Sequence, residues 1–173
     1  MGPEAIAWLV LGTITVIAGI RARRSRRALR IGRLALGALF VLGGALVNAW
    51  YLVSGTDYGG FADMSYLAFV RDTWASVVAP RQEVWIGLLI AFEAIAGALV
   101  WSGGRRATLG MAAIMAFHVL LLPFGWFFYA WSVPMLLGVG LLLQAHRREL
   151  ASSDPPLRSA DTGTDEHLVG TSP

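Results

Sequence analysis

Three polar residues interrupt apolar stretches that are otherwise long enough to cross a bilayer: Glu93 in IGLLIAFEAIAGALV, His118 in MAAIMAFHVLLL and Asn48 in ALVNAWYLV. An ionisable side chain at mid-bilayer costs about 2.5 to 3.5 kcal/mol on insertion scales, so it faces the bundle interior and has either a partner or a task. Glu93 and His118 could take and release a proton or hydrogen-bond a ligand head group, and the Asn48 amide could bridge helices or bind a carbonyl. The same groups could instead form a structural staple, with a protonated Glu93 or a Glu93–His118 hydrogen bond fixing helix register. From the sequence both readings stay open. Haem held by two imidazoles would need a second intramembrane His, whereas His146 lies at a span end and His167 in a polar tail. No metal site is expected: the chain has 0 Cys, and the loop residues Asp57, Asp63 and Asp72 read as solvated carboxylates.

The elements that must carry these residues follow from composition. Hydrophobic residues make up 56% of the 173 and charged ones 14%, against roughly 45 to 50% and about 25% in soluble domains. Mean hydropathy is +0.61. Apolar runs near 20 residues predict an all-α polytopic membrane protein with five spans, at residues 3–20, 34–53, 84–101, 107–124 and 132–145. The first begins MGPEAIAW and has its positive charge after the apolar run, which favours a retained helix over a signal peptide. No Arg, Lys, Asp or Glu occurs in the 39 residues from Ala107 to Ala145, where Pro123, Gly125 and Pro134 among interfacial aromatics mark a tight turn. The third and fourth spans, joined by SGGRR, are antiparallel neighbours that place Glu93 and His118 about 4.5 Å apart along the axis. If their faces turn inward, the two side chains could meet or share a water.

Charge sets the orientation. All 14 basic residues are Arg, and seven of them, Arg21, Arg23, Arg24, Arg26, Arg27, Arg30 and Arg33, cluster in one short connection. Two arginines, Arg71 and Arg81, fall on the opposite side from the other twelve. This bias predicts an N-terminus outside, a C-terminus in the cytoplasm and residence in the plasma or inner membrane. The cluster also suits anionic lipid, at about 1 kcal/mol per charge. It is too closely tied to two spans to suggest nucleic acid.

Residues 54–82 are too long for a simple external turn. Leu67, Val70, Trp74 and Val77 at helical spacing, after Asp63 or Ser65 as a cap, predict an amphipathic helix on the membrane surface or over the bundle mouth. Residues 1–150 form the transmembrane domain, and residues 151–173, rich in Ser, Asp, Thr and Pro, are expected to be a disordered cytoplasmic tail.

From Arg30 to about Arg148 the chain resembles the DoxX-like membrane proteins. The likeness rests on RLALGALFVLGG (Arg33 to Gly44), on Phe61 and Ala62 ahead of a helix-like stretch, and on IAFEAIAGALVWSGGRRATLG. Arg33, Gly37, Gly43, Glu93, Gly97, Gly103 and Gly104 fall on the family's pattern. The resemblance implies a four-helix bundle to which the first helix is an addition, and a link in some members to quinone or sulfur-compound oxidation. The lack of Cys argues against a thiol-dependent version.

No Walker loop, dinucleotide fingerprint, zinc-protease His pair or nucleophile elbow is present, so the chain is not expected to be an enzyme by itself. The first expectation is a noncatalytic accessory or assembly subunit of a membrane redox or cell-envelope complex. The alternative is quinone, isoprenoid or lipid binding around Glu93 and His118, with proton transfer. A small-molecule transporter ranks third, since no internal repeat is detectable.

Overall fold

Hydrocarbon offers no partner to backbone N–H and C=O groups, so a crossing segment must satisfy its own hydrogen bonds, and this chain does so with helices. The computed structural model describes residues 2–153, among which there is no strand and five helices are long and apolar enough to cross a membrane. The expected tail, with His167, lies outside the described residues from 154 onward; residues 151–153 still belong to the last helix.

Helix α1 (Pro3–Ala22) opens with Pro in its first turn, where the missing N–H has no intrahelical partner to lose. Ser25 caps α2 (Arg26–Ala38), its Oγ accepting from the Ala28 N–H at 3.2 Å. The chain continues unbroken through a π-helical segment, Leu39–Leu46, into α3 (Val47–Val53), making one rod of 28 residues. The cap corrects one expectation: Arg26, Arg27, Arg30 and Arg33 occupy the first turns of this rod instead of a connection preceding it. After the loop and its short helix α4 (Ala68–Thr73) come α5 (Gln82–Ser102), α6 (Gly104–Leu121) and α7 (Trp126–Ser153).

Pro134 is not in the last turn. The 3-10 segment Leu122–Phe124 and Gly125, at φ +123°, reverse the chain by themselves, and α7 carries Pro134 inside it. Pro134 forgoes the bond to the Ala130 carbonyl, a break that membrane helices accommodate.

Helix α1 packs on the α2 rod, the rod on α5, α5 on α6, α6 on α7, and α7 returns to α1, closing a five-helix ring. Helix α1 is one wall of that ring. A Cβ on Gly19 would strike the Gly138 carbonyl, which shows how closely α1 and α7 approach. At one end of this parallel pair Trp8 stacks on Trp131, centroids 3.4 Å apart; at the other Arg23 Nε donates to Gln144 Oε1 at 3.0 Å. Outward residues such as Ile20, Leu34, Leu46, Leu109 and Leu137 are exposed and apolar, while Leu36, Val100, Met111 and Leu142 fill the interior. A helix apolar on all sides suits lipid outside and protein inside.

The two ends of the ring differ. The arginine end is tied by Arg33, whose Nε and Nη2 donate to the Val100 carbonyl at 3.3 and 3.1 Å, and by Trp101 Nε1, which donates to the Leu34 carbonyl at 3.2 Å. His146 Nε2 donates there to the Gly104 carbonyl at 2.9 Å. The opposite end is covered by the 54–82 loop, where Ser65 Oγ donates to the Pro123 carbonyl at 2.6 Å and Arg71 Nη1 to the Ser65 carbonyl at 2.6 Å.

Candidate functional site

The site begins with the widened turn of the α2–α3 rod. π-Helical turns insert an extra residue into the helical path and recur at functional sites. Within Leu39–Leu46, Gly44 presents bare backbone where Glu93 arrives from α5, and a Cβ there would lie 2.7 Å from Glu93 Cδ and 2.7 Å from Oε1. About one turn further, Asn48 Nδ2 donates to Glu93 Oε2 at 2.9 Å. From the loop, the Tyr58 hydroxyl donates to Asn48 Oδ1 at 3.3 Å. The result is a chain, Tyr58 to Asn48 to Glu93, ending on a carboxyl that is only 6% exposed.

Tyr58 is itself held in place. Its backbone N–H donates to Gln82 Oε1 at 3.0 Å, and its carbonyl accepts from Trp74 Nε1 at 2.8 Å. Burial pushes the phenol above its usual range, and the nearby Glu93 carboxyl and Tyr51 phenol add to that, so the hydroxyl remains a donor at neutral pH.

His118 lines the same cavity, but it does not bond to Glu93. Its Nδ1 pairs with the Ile114 carbonyl at 2.8 Å. Since a carbonyl can only accept, Nδ1 carries the hydrogen, and in a neutral ring Nε2 is then an acceptor, without a protein partner. Phe40 and Phe117 flank the imidazole, each with its centroid 5.9 Å away. Of the three polar residues singled out in the sequence, Glu93 and Asn48 are therefore joined directly, and His118 shares their cavity.

That cavity measures about 670 Å³. Its roof is aromatic: Phe61 stacks on Trp74 at 4.9 Å, and Phe124 meets Trp74 edge-on at 5.6 Å. The stacked Trp8 and Trp131 close the side between α1 and α7. The loop crosses the bundle mouth, its residues 68–81 helical in a succession of α, π and 3-10 turns that runs on into α5. Helix α4 is short and gives way to a π segment, Trp74–Val78, and a 3-10 turn, Ala79–Arg81, containing Pro80. Trp74 turns to the cavity, whereas Leu67 and Val77 are exposed.

Arg21, Arg23, Arg24, Arg26, Arg27 and Arg30 stay exposed at the arginine end. Arg33 differs: its guanidinium satisfies carbonyls at the C-terminus of α5 and is committed to the fold. Among the described residues no group of three or more His, Asp or Glu could hold a metal ion. What the cavity offers is one partly satisfied carboxyl, one acceptor imidazole and many ring faces. Sequence reading missed Tyr58, which lies in a Gly-rich loop with no periodicity to flag it.

No family model, curated protein or solved structure matches this chain.

Proposed function

We propose that this protein is a membrane-embedded binding protein for a lipophilic small molecule, whose polar head sits at Glu93, Asn48, Tyr58 and His118 and whose apolar part lies among the cavity aromatics. The observation that carries this reading is the cavity: about 670 Å³, within the roughly 300 to 1,000 Å³ of small-molecule sites, mostly apolar with a few convergent polar groups. Quinones, isoprenoids and lipids are the classes that suit such a lining. Binding is favoured over catalysis because no nucleophile is paired with a base around the cavity.

The asymmetric arginines support an orientation with the arginine end in the cytoplasm and the roofed cavity mouth outside, in a plasma or inner membrane. The six exposed arginines at that end suit anionic lipid head groups. Membership of the DoxX-like proteins is part of the proposal, supported by the duties of the residues that carry the resemblance. Arg33 holds the end of α5, and Gly97 packs where a Cβ would lie 2.9 Å from the Gly37 carbonyl. An accessory-subunit role rests only on the lack of catalytic motifs, whereas the cavity is a positive feature.

Mass spectrometry of the protein purified in native lipid, with Glu93→Gln alongside, tests the proposal. A stoichiometric lipophile that is lost in the variant is the expected result. A stoichiometric protein partner with no bound small molecule, unchanged in the variant, would replace binding by the accessory role.

A further inference from the structure

Among the polar side chains around an ionised Glu93, the hydrogen-bonding capacity left open is nearly all accepting. The Tyr58 hydroxyl has one hydrogen, and it is spent on Asn48 Oδ1. Asn48 spends one amide hydrogen on Glu93 Oε2, and the His118 Nδ1 hydrogen goes to the Ile114 carbonyl. Two of the cavity's indoles are also committed, Trp74 Nε1 to the Tyr58 carbonyl and Trp85 Nε1 to the Val77 carbonyl. Glu93 Oε1 and His118 Nε2 remain without protein partners, on side chains that are 6% and 2% exposed. Of the Tyr58, Asn48 and His118 hydrogens one is left to give, the second of the Asn48 amide.

A ligand that presents carbonyl oxygens would find one free donor among these three side chains, and an anionic head would meet a carboxylate. No Arg or His side chain of the described residues pairs with Glu93, so its ionised form has no protein counter-charge. Such a buried charge either takes up a proton or is met by a counter-charge from outside the protein. Trp8, Phe61, Trp74, Phe117 and Trp131 line the same cavity, and the negative quadrupole of an aromatic face attracts cations. Acceptors, an uncompensated carboxyl and aromatic faces all point to the same ligand charge.

We infer that the occupant is a lipophilic ammonium ion bearing N–H donors, seated with its charge against Glu93 Oε1 and its apolar body under the Phe61–Trp74 roof. This deepens the binding-site reading and rests on it. A protonated amine supplies the counter-charge and the missing donors together, which a neutral quinone or isoprenoid alcohol cannot do.

The test uses the full chain in phosphatidylcholine nanodiscs and two radiolabelled probes of equal size, 2-(2-naphthyl)ethylamine, a cation at pH 7, and 2-(2-naphthyl)ethanol. Equilibrium dialysis gives saturable binding after subtraction of empty nanodiscs. The amine is expected to bind about tenfold or more tightly than the alcohol. Glu93→Gln should bring the amine down to the level of the alcohol, and Glu93→Asp, which keeps the charge, should retain part of the preference. Equal affinities in the wild type, or a preference that persists in Glu93→Gln, would overturn the cation and leave the cavity reading standing. Saturable binding of neither probe would overturn both. Should Glu93→Gln elute as aggregate, the wild-type comparison of the two probes decides by itself.

Discussion

Asn48→Leu removes the middle link of the Tyr58–Asn48–Glu93 chain while nearly preserving side-chain volume. Two bonds disappear, one of 2.9 Å to Glu93 Oε2 and one of 3.3 Å from the Tyr58 hydroxyl. A buried polar group left unpaired costs about 1 to 3 kcal/mol, although hydrogen bonds measured within membranes average nearer 0.6 kcal/mol. The longer bond lies toward the cavity mouth, so most of the loss falls on the carboxyl, and the expected total is about 2 to 3 kcal/mol. A double-mutant cycle isolates the link. In a Glu93→Leu background no carboxyl remains to be orphaned, so Asn48→Leu should cost at least about 1 kcal/mol less there than in the wild type. Steric trapping in bicelles, which reads unfolding free energy without leaving a bilayer-like medium, supplies the four stabilities. Additivity within about 0.5 kcal/mol would refute the reasoning, because it would mean that Glu93 does not depend on Asn48.

Gly44→Ala places a methyl against the end of the flexible Glu93 side chain, so the carboxyl swings off Asn48 while the helices stay together. The gain of about 1 kcal/mol in helix propensity offsets much of the lost bond, so dialysis should show weakened amine binding at near wild-type stability; unchanged binding would count against the site. Arg33→Ala leaves the Val100 carbonyl without its guanidinium and should cost about 1 to 3 kcal/mol, with Arg33→Lys recovering only part of this; the same unfolding assay checks both. Gly19→Val forces α1 off the Gly138 backbone and should cost about 1 to 3 kcal/mol, whereas a helix lying outside the core would tolerate it. The Tyr58 phenol is raised above its ordinary 10.0, so its folded form holds the proton more tightly. Its stabilising contribution is therefore full below about pH 10 and lost as pH rises through the folded value. Alkaline unfolding of Tyr58→Phe should lack this component.

Polar residues were the readable part of this sequence because a bilayer makes them costly wherever they sit. Glu93, His118 and Asn48 stand out against their runs, and all three line one cavity. Their partners were not readable. Pairing Glu93 with Asn48 instead of His118 depends on the rotation of α5 against a rod widened over Leu39–Leu46, and the uniformly apolar LFVLGGAL has no periodicity that marks a π turn. The loop shows a related effect. In water, Leu67, Val70, Trp74 and Val77 at helical spacing would specify a buried face, but Leu67 and Val77 can remain exposed where the surroundings are apolar. Hydrophobic spacing thus loses its power to separate inside from outside. In its place, close packing marks the inner faces: a Cβ on Gly110 would lie 2.8 Å from the Ala96 carbonyl, and one on Gly97 2.9 Å from that of Gly37. Even that signal depends on position, since a Cβ on Gly87 would meet nothing within 4 Å. Small residues show where helices can approach, and only the cost of burying a charge shows where they must supply a partner. That cost is why Glu93, alone among these features, leads from sequence to a claim about what fills the cavity.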